Sequence, residues 1–226
     1  RMKTSNYIIM AFLIFLFGGI LTLFVSAKLD PRAGQNQKFE TLEKPLDSFS
    51  VIVAEPGASF QIKTGETTRL STNYQKGEEA ILPSYVVRND TLFVSAFPKS
   101  EKRTNLEVCY TKIRSIEGKA NSEITAHQIS GDSLTIKLND AHFRHYSRTK
   151  TSNAALQIIA NNSNVQLGDI SVENLDIQLN KTEMNVWNSS IVNLSGTLTE
   201  SSSLSMGQIS KINVEVDSSS NYHLNK

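Results

Sequence analysis

The sequence predicts an all-β fold, a parallel β-solenoid of β-helix type, preceded by one N-terminal transmembrane helix. Three observations carry this prediction. Tyr7 to Ala27 run 21 positions without a charge. Beyond residue 46 no helical period is sustained, and short stretches of alternating apolar and polar residues replace it. In the second half, Leu134, Leu156, Leu175, Leu194 and Ile212 recur at spacings of 22, 19, 19 and 18.

As a helix the apolar run is about 32 Å long, which matches a hydrocarbon core of about 30 Å. It is longer than the roughly 7–15 residues of a signal-peptide apolar region, so an uncleaved anchor is expected, although Val25-Ser26-Ala27 resembles a cleavage site. Arg1 and Lys3 before the run balance Lys28 and Arg32 after it. A short head and a long polar body favour an inner-membrane anchor, with the body exported to the periplasm or surface. Gly18 and Gly19 place two small residues mid-helix, a surface for close contact with another helix. The expected division is an anchor (or uncleaved signal) over residues 1–28, a polar tether over 29–45 and the β-solenoid over 46–226.

Charge points away from nucleic acid: 23 Lys and Arg face 22 Asp and Glu across 226 residues. Cys109 is the only cysteine, so it forms no internal disulfide, and its place in the alternating LEVCYTKI reads as a strand residue and not a nucleophile.

The strands follow in order. Phe49, Val51 and Val53, then Glu55-Pro56-Gly57-Ala58, then Phe60 and Ile62 read as a hairpin-like pair. Val86 and Val87, Asn89-Asp90, Leu92 and Val94 repeat the device. From residue 132 the recurring Leu and Ile are each followed by apolar or small residues two and four positions on. Further apolar groups stand at Val165, Met184, Leu204 and Tyr222, and at Val172, Ile191 and Ile209. No single repeat can bury its apolar face alone, whereas stacked coils about 4.8 Å apart set like on like, with Asn and Ser at the corners. An evenly spaced antiparallel sandwich is the alternative, and the scarcity of two-residue Gly turns after residue 132 argues against it.

The stretches FSVIVAEPGASFQIKTG, VVRNDTLFVS and LEVCYTKIRSIEGKANSEI, with the Leu-rich coils behind them, resemble the family named "putative auto-transporter adhesin head GIN domain", common in exported proteins of Bacteroidetes. The resemblance covers roughly residues 45–225. It implies a right-handed β-helix and an exported location, and it carries over no functional residue.

The candidate site is the stretch 139–153, where the 22-residue spacing leaves about three residues to spare. It carries His142, Arg144, His145, Tyr146, Arg148 and Lys150, cations and rings suited to an anionic sugar, a phosphate headgroup or an acidic patch on a partner. His142 and His145 lack a third ligand, so no metal is expected, nor any other cofactor. The carboxylates of the coils are scattered, and no Ser-centred nucleophile, P-loop or dinucleotide fingerprint occurs. The expected function is non-catalytic binding as an adhesin-like or scaffold module, with a cell-surface glycan or protein as partner. The alternative is an accessory subunit held to a membrane-protein partner through its helix. A carbohydrate-active enzyme ranks third.

Overall fold

The computed structural model describes residues 10, 12–22, 39–98, 105–129, 131–207 and 209–224. It divides into two compact units, Arg1–Phe39 and Glu40–Lys226.

In the first unit residues 12–22 are helical. Its large apolar side chains are exposed all round, Phe12, Ile14, Phe15 and Phe17 by 60–81%. The Thr22 hydroxyl donates back to the carbonyls of Gly18 and Gly19, and nothing lies within 4 Å of where a side chain at either glycine would stand. Among the described residues no helix is long and apolar enough to cross a membrane. Most of the remainder of the expected span, residues 7–9, 11 and 23–27, lies outside the described residues.

The second unit is a β-solenoid of about six turns. The chain opens with β1 (Phe39–Pro45), β2 (Val51–Ala54), β3 (Ser59–Thr64), β4 (Arg69–Gln75), β5 (Tyr85–Arg88), β6 (Thr91–Val94) and β7 (Leu106–Tyr110). It then winds regularly through β8 (Ser115–Gly118) and β9 (Glu123–His127), β10 (Gly131–Asn139) and β11 (His142–His145), and β12 (Thr151–Asn161) and β13 (Asn164–Gly168). The final coils are β14 (Ile170–Asn180) and β15 (Glu183–Trp187), β16 (Ser190–Thr199) and β17 (Ser203–Met206), and β18 (Ile209–Val216) and β19 (Asn221–Leu224). A ten-stranded sheet runs β1-β4-β7-β3-β9-β11-β13-β15-β17-β19, and a nine-stranded sheet runs β18-β16-β14-β12-β10-β8-β2-β6-β5. Pairing is parallel along the coils, with antiparallel exceptions at β4–β7 and β5–β6.

The repeat lies where its spacing puts it. Leu134, Leu156, Leu175, Leu194 and Ile212 pair in succession, and the first four are 1–2% exposed. A neighbouring column runs Leu92, Ile52, Ile116, Ile136, Ile158 and Ile177, each fully buried. In the ten-stranded sheet Phe60, Ile124, Phe143, Val165, Met184, Leu204 and Tyr222 form the matching column. Val172, Ile191 and Ile209 stack at the heads of the long strands of the nine-stranded sheet, joined to the rest by a slip in alternation: inward positions fall at Asn153 and then Leu156.

Gly196 breaks the Ile column for a backbone reason. Its φ is +136°, and a Cβ there would stand 1.8 Å from the Ile177 carbonyl oxygen, so only glycine fits.

The corners are held by side-chain ladders. Asn121, Asp140, Asn162 and Lys181 each turn the chain in the left-handed region, at φ between 47° and 58°, a conformation that Asn and Asp tolerate best after glycine. Directly behind the last three of these the buried Ala141, Ser163 and Thr182 amides donate to the hydroxyls of Ser163, Thr182 and Ser202 in the next coil, at 3.1–3.2 Å. Each of those hydroxyls donates in turn to a carbonyl of its own coil, at 2.7–2.8 Å.

The first half departs from the sequence reading in two places. Glu55–Ala58 does not close a hairpin, because β2 and β3 lie in different sheets and the turn is a coil corner. The coil they make is inserted between β6–β7 and β8–β9, so stacking order and chain order differ. The local alternation is identical for a hairpin and for a corner, and only long-range pairing separates them. Asn89-Asp90 does close a hairpin, both residues in the left-handed region at φ 49° and 62°, with Arg88 over the Phe93 ring at 4.6 Å. The tether ends in strand: β1 docks beside β4 through polar pairs, Thr41 with Asn73, Glu40 with Tyr74 and Lys76, and Glu43 with Arg69. That docking leaves no apolar period to read.

Candidate functional site

Alternation on β11 decides the fate of the candidate residues. His142 and Arg144 point outward and are exposed, while Phe143 and His145 point into the core. The chain then leaves the strand through a bend in which Tyr146, Arg148 and Lys150 are exposed. Five of the six candidates thus share one exposed region.

His145 does not join them; it is fully buried. Its Nδ1 lies 2.8 Å from the Gly168 carbonyl oxygen, to which it donates, and its Nε2 accepts from the Ile129 backbone N–H at 3.4 Å. This pairing requires the neutral Nδ1–H tautomer. Burial pushes its pKa below the ordinary histidine value, against an upward pull from the Gly168 carbonyl and Asp169. The buried Asn153 side-chain amide donates to the Ile129 carbonyl at 3.2 Å. Together the two side chains satisfy the Ile129 N–H and carbonyl. A strand period of two fixes this inward orientation, which the reading of 139–153 as an extended bend obscured.

The outer face of the ten-stranded sheet contributes residues that the sequence reading passed over. Tyr146 makes an edge-to-face contact with His127, ring centroids 4.5 Å apart and planes at 82°. One coil on, at the position in line with Tyr146, stands Gly168, and Gly168 pairs with Trp187. The indole occupies the space above Gly168: a Cβ there would meet its Cε2, Cζ2 and Nε1 atoms at 2.4–2.5 Å. Tyr146 and Trp187 are each 41% exposed. Rings therefore line this edge of the sheet, with a glycine making room between them. The sequence holds the signal: the one Trp stands 19 residues after a glycine, one repeat apart.

Beside the rings lies a connected polar network. Arg144 Nε donates to Gln166 Oε1 at 3.0 Å, and Gln166 Nε2 donates to Asn164 Oδ1 at 3.2 Å. Asn164 Nδ2 and Asn185 Nδ2 donate to the two oxygens of Glu183 at 3.5 and 2.9 Å. These planar groups are pre-oriented on rigid strands, the arrangement that holds a flat polar ligand with little ordering cost.

Elsewhere, a shallow open groove of about 460 Å³ lies where the long strands slip in phase, lined by Asp132, Ser152, Ser171 and Glu173. Register puts Asp132 and Glu173 in one column, two coils apart, so the carboxylates are less scattered than the sequence suggests. Cys109 is buried, and burial first of all pushes its thiol pKa up, as a packing residue requires. No group of three or more metal-ligating side chains occurs among the described residues.

No protein-family profile and no curated protein matches this chain. Among solved structures it is similar to a "putative adhesin" from Bacteroides fragilis NCTC 9343, at 11% identity and a TM-score of 0.55, over 84% of this chain and 98% of that one. A "putative adhesin" from Parabacteroides merdae ATCC 43184 aligns at 12% identity and a TM-score of 0.48, with the same shares covered. The first likeness establishes a shared fold.

Proposed function

We propose that the protein is an exported, non-catalytic binding module of the adhesin type, related to the GIN-domain family and wound in the right-handed sense. In this reading it is tethered in the cell envelope by its N-terminal apolar helix, and it takes an acidic glycan on the outer face of its ten-stranded sheet. The carrying observation is the exposed Tyr146 and Trp187 rings beside the Arg144–Gln166–Asn164–Glu183–Asn185 network. Sugar rings pack their C–H faces on the aromatic rings while amides and guanidinium bond the hydroxyls. Arg144, Arg148 and Lys150, all exposed, supply cations for a carboxylate or sulfate. The uncharged, outwardly apolar helix over residues 12–22 supports the membrane tether. The open flank at Gly18 and Gly19 also supports a second role, docking on another transmembrane helix.

The test is binding of the full chain in detergent to a polyuronate and to a neutral β-glucan. Trp187→Ala should weaken polyuronate binding at least about tenfold, a loss of about 1.4 kcal/mol. Arg144→Ala/Arg148→Ala/Lys150→Ala should erase the preference for the acidic polymer. Polyuronate binding that neither variant changes overturns this reading, as does equal binding of both polymers by the parent chain.

A further inference from the structure

The outer face of the ten-stranded sheet carries two parallel tracks that run along the stack, from coil to coil. One is a line of rings. Register sets His127, Tyr146, Gly168 and Trp187 in one outward column on successive coils. Gly168 stands on the outer face yet is buried, because the Trp187 indole folds back over it towards Tyr146. The two exposed rings therefore cover neighbouring coils, about 4.8 Å apart along the stack, and His127 buttresses Tyr146 through its edge-to-face contact.

The second track is polar. Arg144, Gln166 and Asn185 pair in succession two residues earlier on the same strands, about 7 Å to one side of the rings. On the other side the chain turns into the 146–150 bend, which carries Arg148 and Lys150. Cations thus flank the ring line on both sides, and they are staggered. The bond from Arg144 Nε to Gln166 draws that guanidinium towards the next coil, while Arg148 and Lys150 stay with the coil of Tyr146. The Arg144 Nη groups and the cationic ends of Arg148 and Lys150 have no partner among the described residues.

Spacing and stagger select a polymer. A chain laid along the stack meets both rings, whereas one laid along a strand meets only one of them. In a glycan whose sugars are joined through two equatorial bonds, each flat sugar advances by close to one coil spacing of about 4.8 Å. Successive sugars are turned over, so their carboxylates point to alternate sides. The sugar on the indole then offers its carboxylate to Arg144, and the sugar on Tyr146 offers its own to Arg148 and Lys150, as charge-assisted pairs. Diaxial linkage buckles the chain, lifts sugar faces off the rings and destroys this match.

We infer that the ligand, on the acidic-glycan reading proposed above, is a linear uronic-acid polymer with diequatorial linkages, lying along the stack axis over the Tyr146 and Trp187 rings.

Titration calorimetry of the full chain in detergent and EDTA tests this with hexamers of mannuronate and of its C5 epimer guluronate. The two carry equal charge, and their linkages are diequatorial and diaxial respectively. Mannuronate should bind at least about tenfold tighter, and Tyr146→Ala should bring the epimers within about threefold of each other. The axial direction has its own test. Asn185 pairs with Ser205, so Gly207 stands in line with Trp187, and nothing lies within 4 Å of where its Cβ would be. Gly207→Tyr, its fold checked by circular dichroism, adds a ring to the line and should tighten mannuronate binding at least about threefold while leaving guluronate unchanged. Guluronate bound as tightly as mannuronate, a preference that survives Tyr146→Ala, or a folded Gly207→Tyr variant that binds mannuronate as the parent does each overturns the inference. Equal binding of the epimers that Trp187→Ala still weakens sinks this inference alone; binding indifferent to Trp187→Ala sinks the acidic-glycan reading with it.

Discussion

Thr182→Val removes one oxygen and almost no volume, and it tests whether hydroxyls hold the corners. The Thr182 side chain is 1% exposed. Its hydroxyl accepts the Ser163 N–H at 3.2 Å and donates to the Asn180 carbonyl at 2.8 Å. In the valine variant the Asn180 carbonyl keeps the Asn162 N–H, at 2.9 Å, so that acceptor stays satisfied. The Ser163 N–H does not: it is left buried and unpaired, at a cost of about 1–3 kcal/mol. The expected destabilisation is therefore about 2 kcal/mol. With a urea slope near 3 kcal/mol/M for a unit of this size, the midpoint falls by about 0.7 M. Thr182→Ser keeps both hydrogen bonds and loses one methyl group, about 0.8 kcal/mol or less. Urea denaturation followed by circular dichroism measures both. A valine variant within about 0.5 kcal/mol of the parent, or a serine variant as weak as the valine one, refutes the hydroxyl-ladder argument.

Two further predictions concern the core. Leu175→Ala, in the middle of the Leu column, should cost about 3–5 kcal/mol, whereas Ile159→Ala, partly exposed on the opposite face of a neighbouring strand, should cost about 1 kcal/mol; equal losses in urea melts would mean the faces are misassigned. For His145 the folded imidazole has its pKa below the ordinary value of 6.5, so below that pH the unfolded chain binds more protons than the folded one. Its contribution is complete above pH 6.5 and is lost as pH falls through the folded value, so the melting temperature should drop between pH 7 and 5, and His145→Gln should flatten that slope.

What could be read from the sequence follows from the range of the forces involved. The coils from Leu134 to Val216 were legible because every coil repeats the same alternation, so that spacing alone fixes register. The β2–β3 coil was not, because Glu55-Pro56-Gly57-Ala58 makes the same local turn whether its strands pair or part. At the candidate site Arg144, Tyr146 and Arg148 were found as charges and rings in a long repeat. His145 was misplaced because its role depends on Ile129 and Gly168, 16 and 23 residues away. Trp187 was missed because its exposure depends on a glycine in the neighbouring coil.

The insertion of β2 and β3 between β6–β7 and β8–β9 bears on how the molecule assembles. The described coil that comes first in chain order is an interior layer, so a chain folding in the order of its sequence would add coils to it in two directions rather than from one end to the other. One flank is covered by β6–β7, some forty residues downstream, and the opposite flank by β8–β9, where the regular coils begin. That early layer is the seed on which both later halves depend, and damage to Ile52 or Ile62 should arrest biogenesis more severely than equal damage to Leu198.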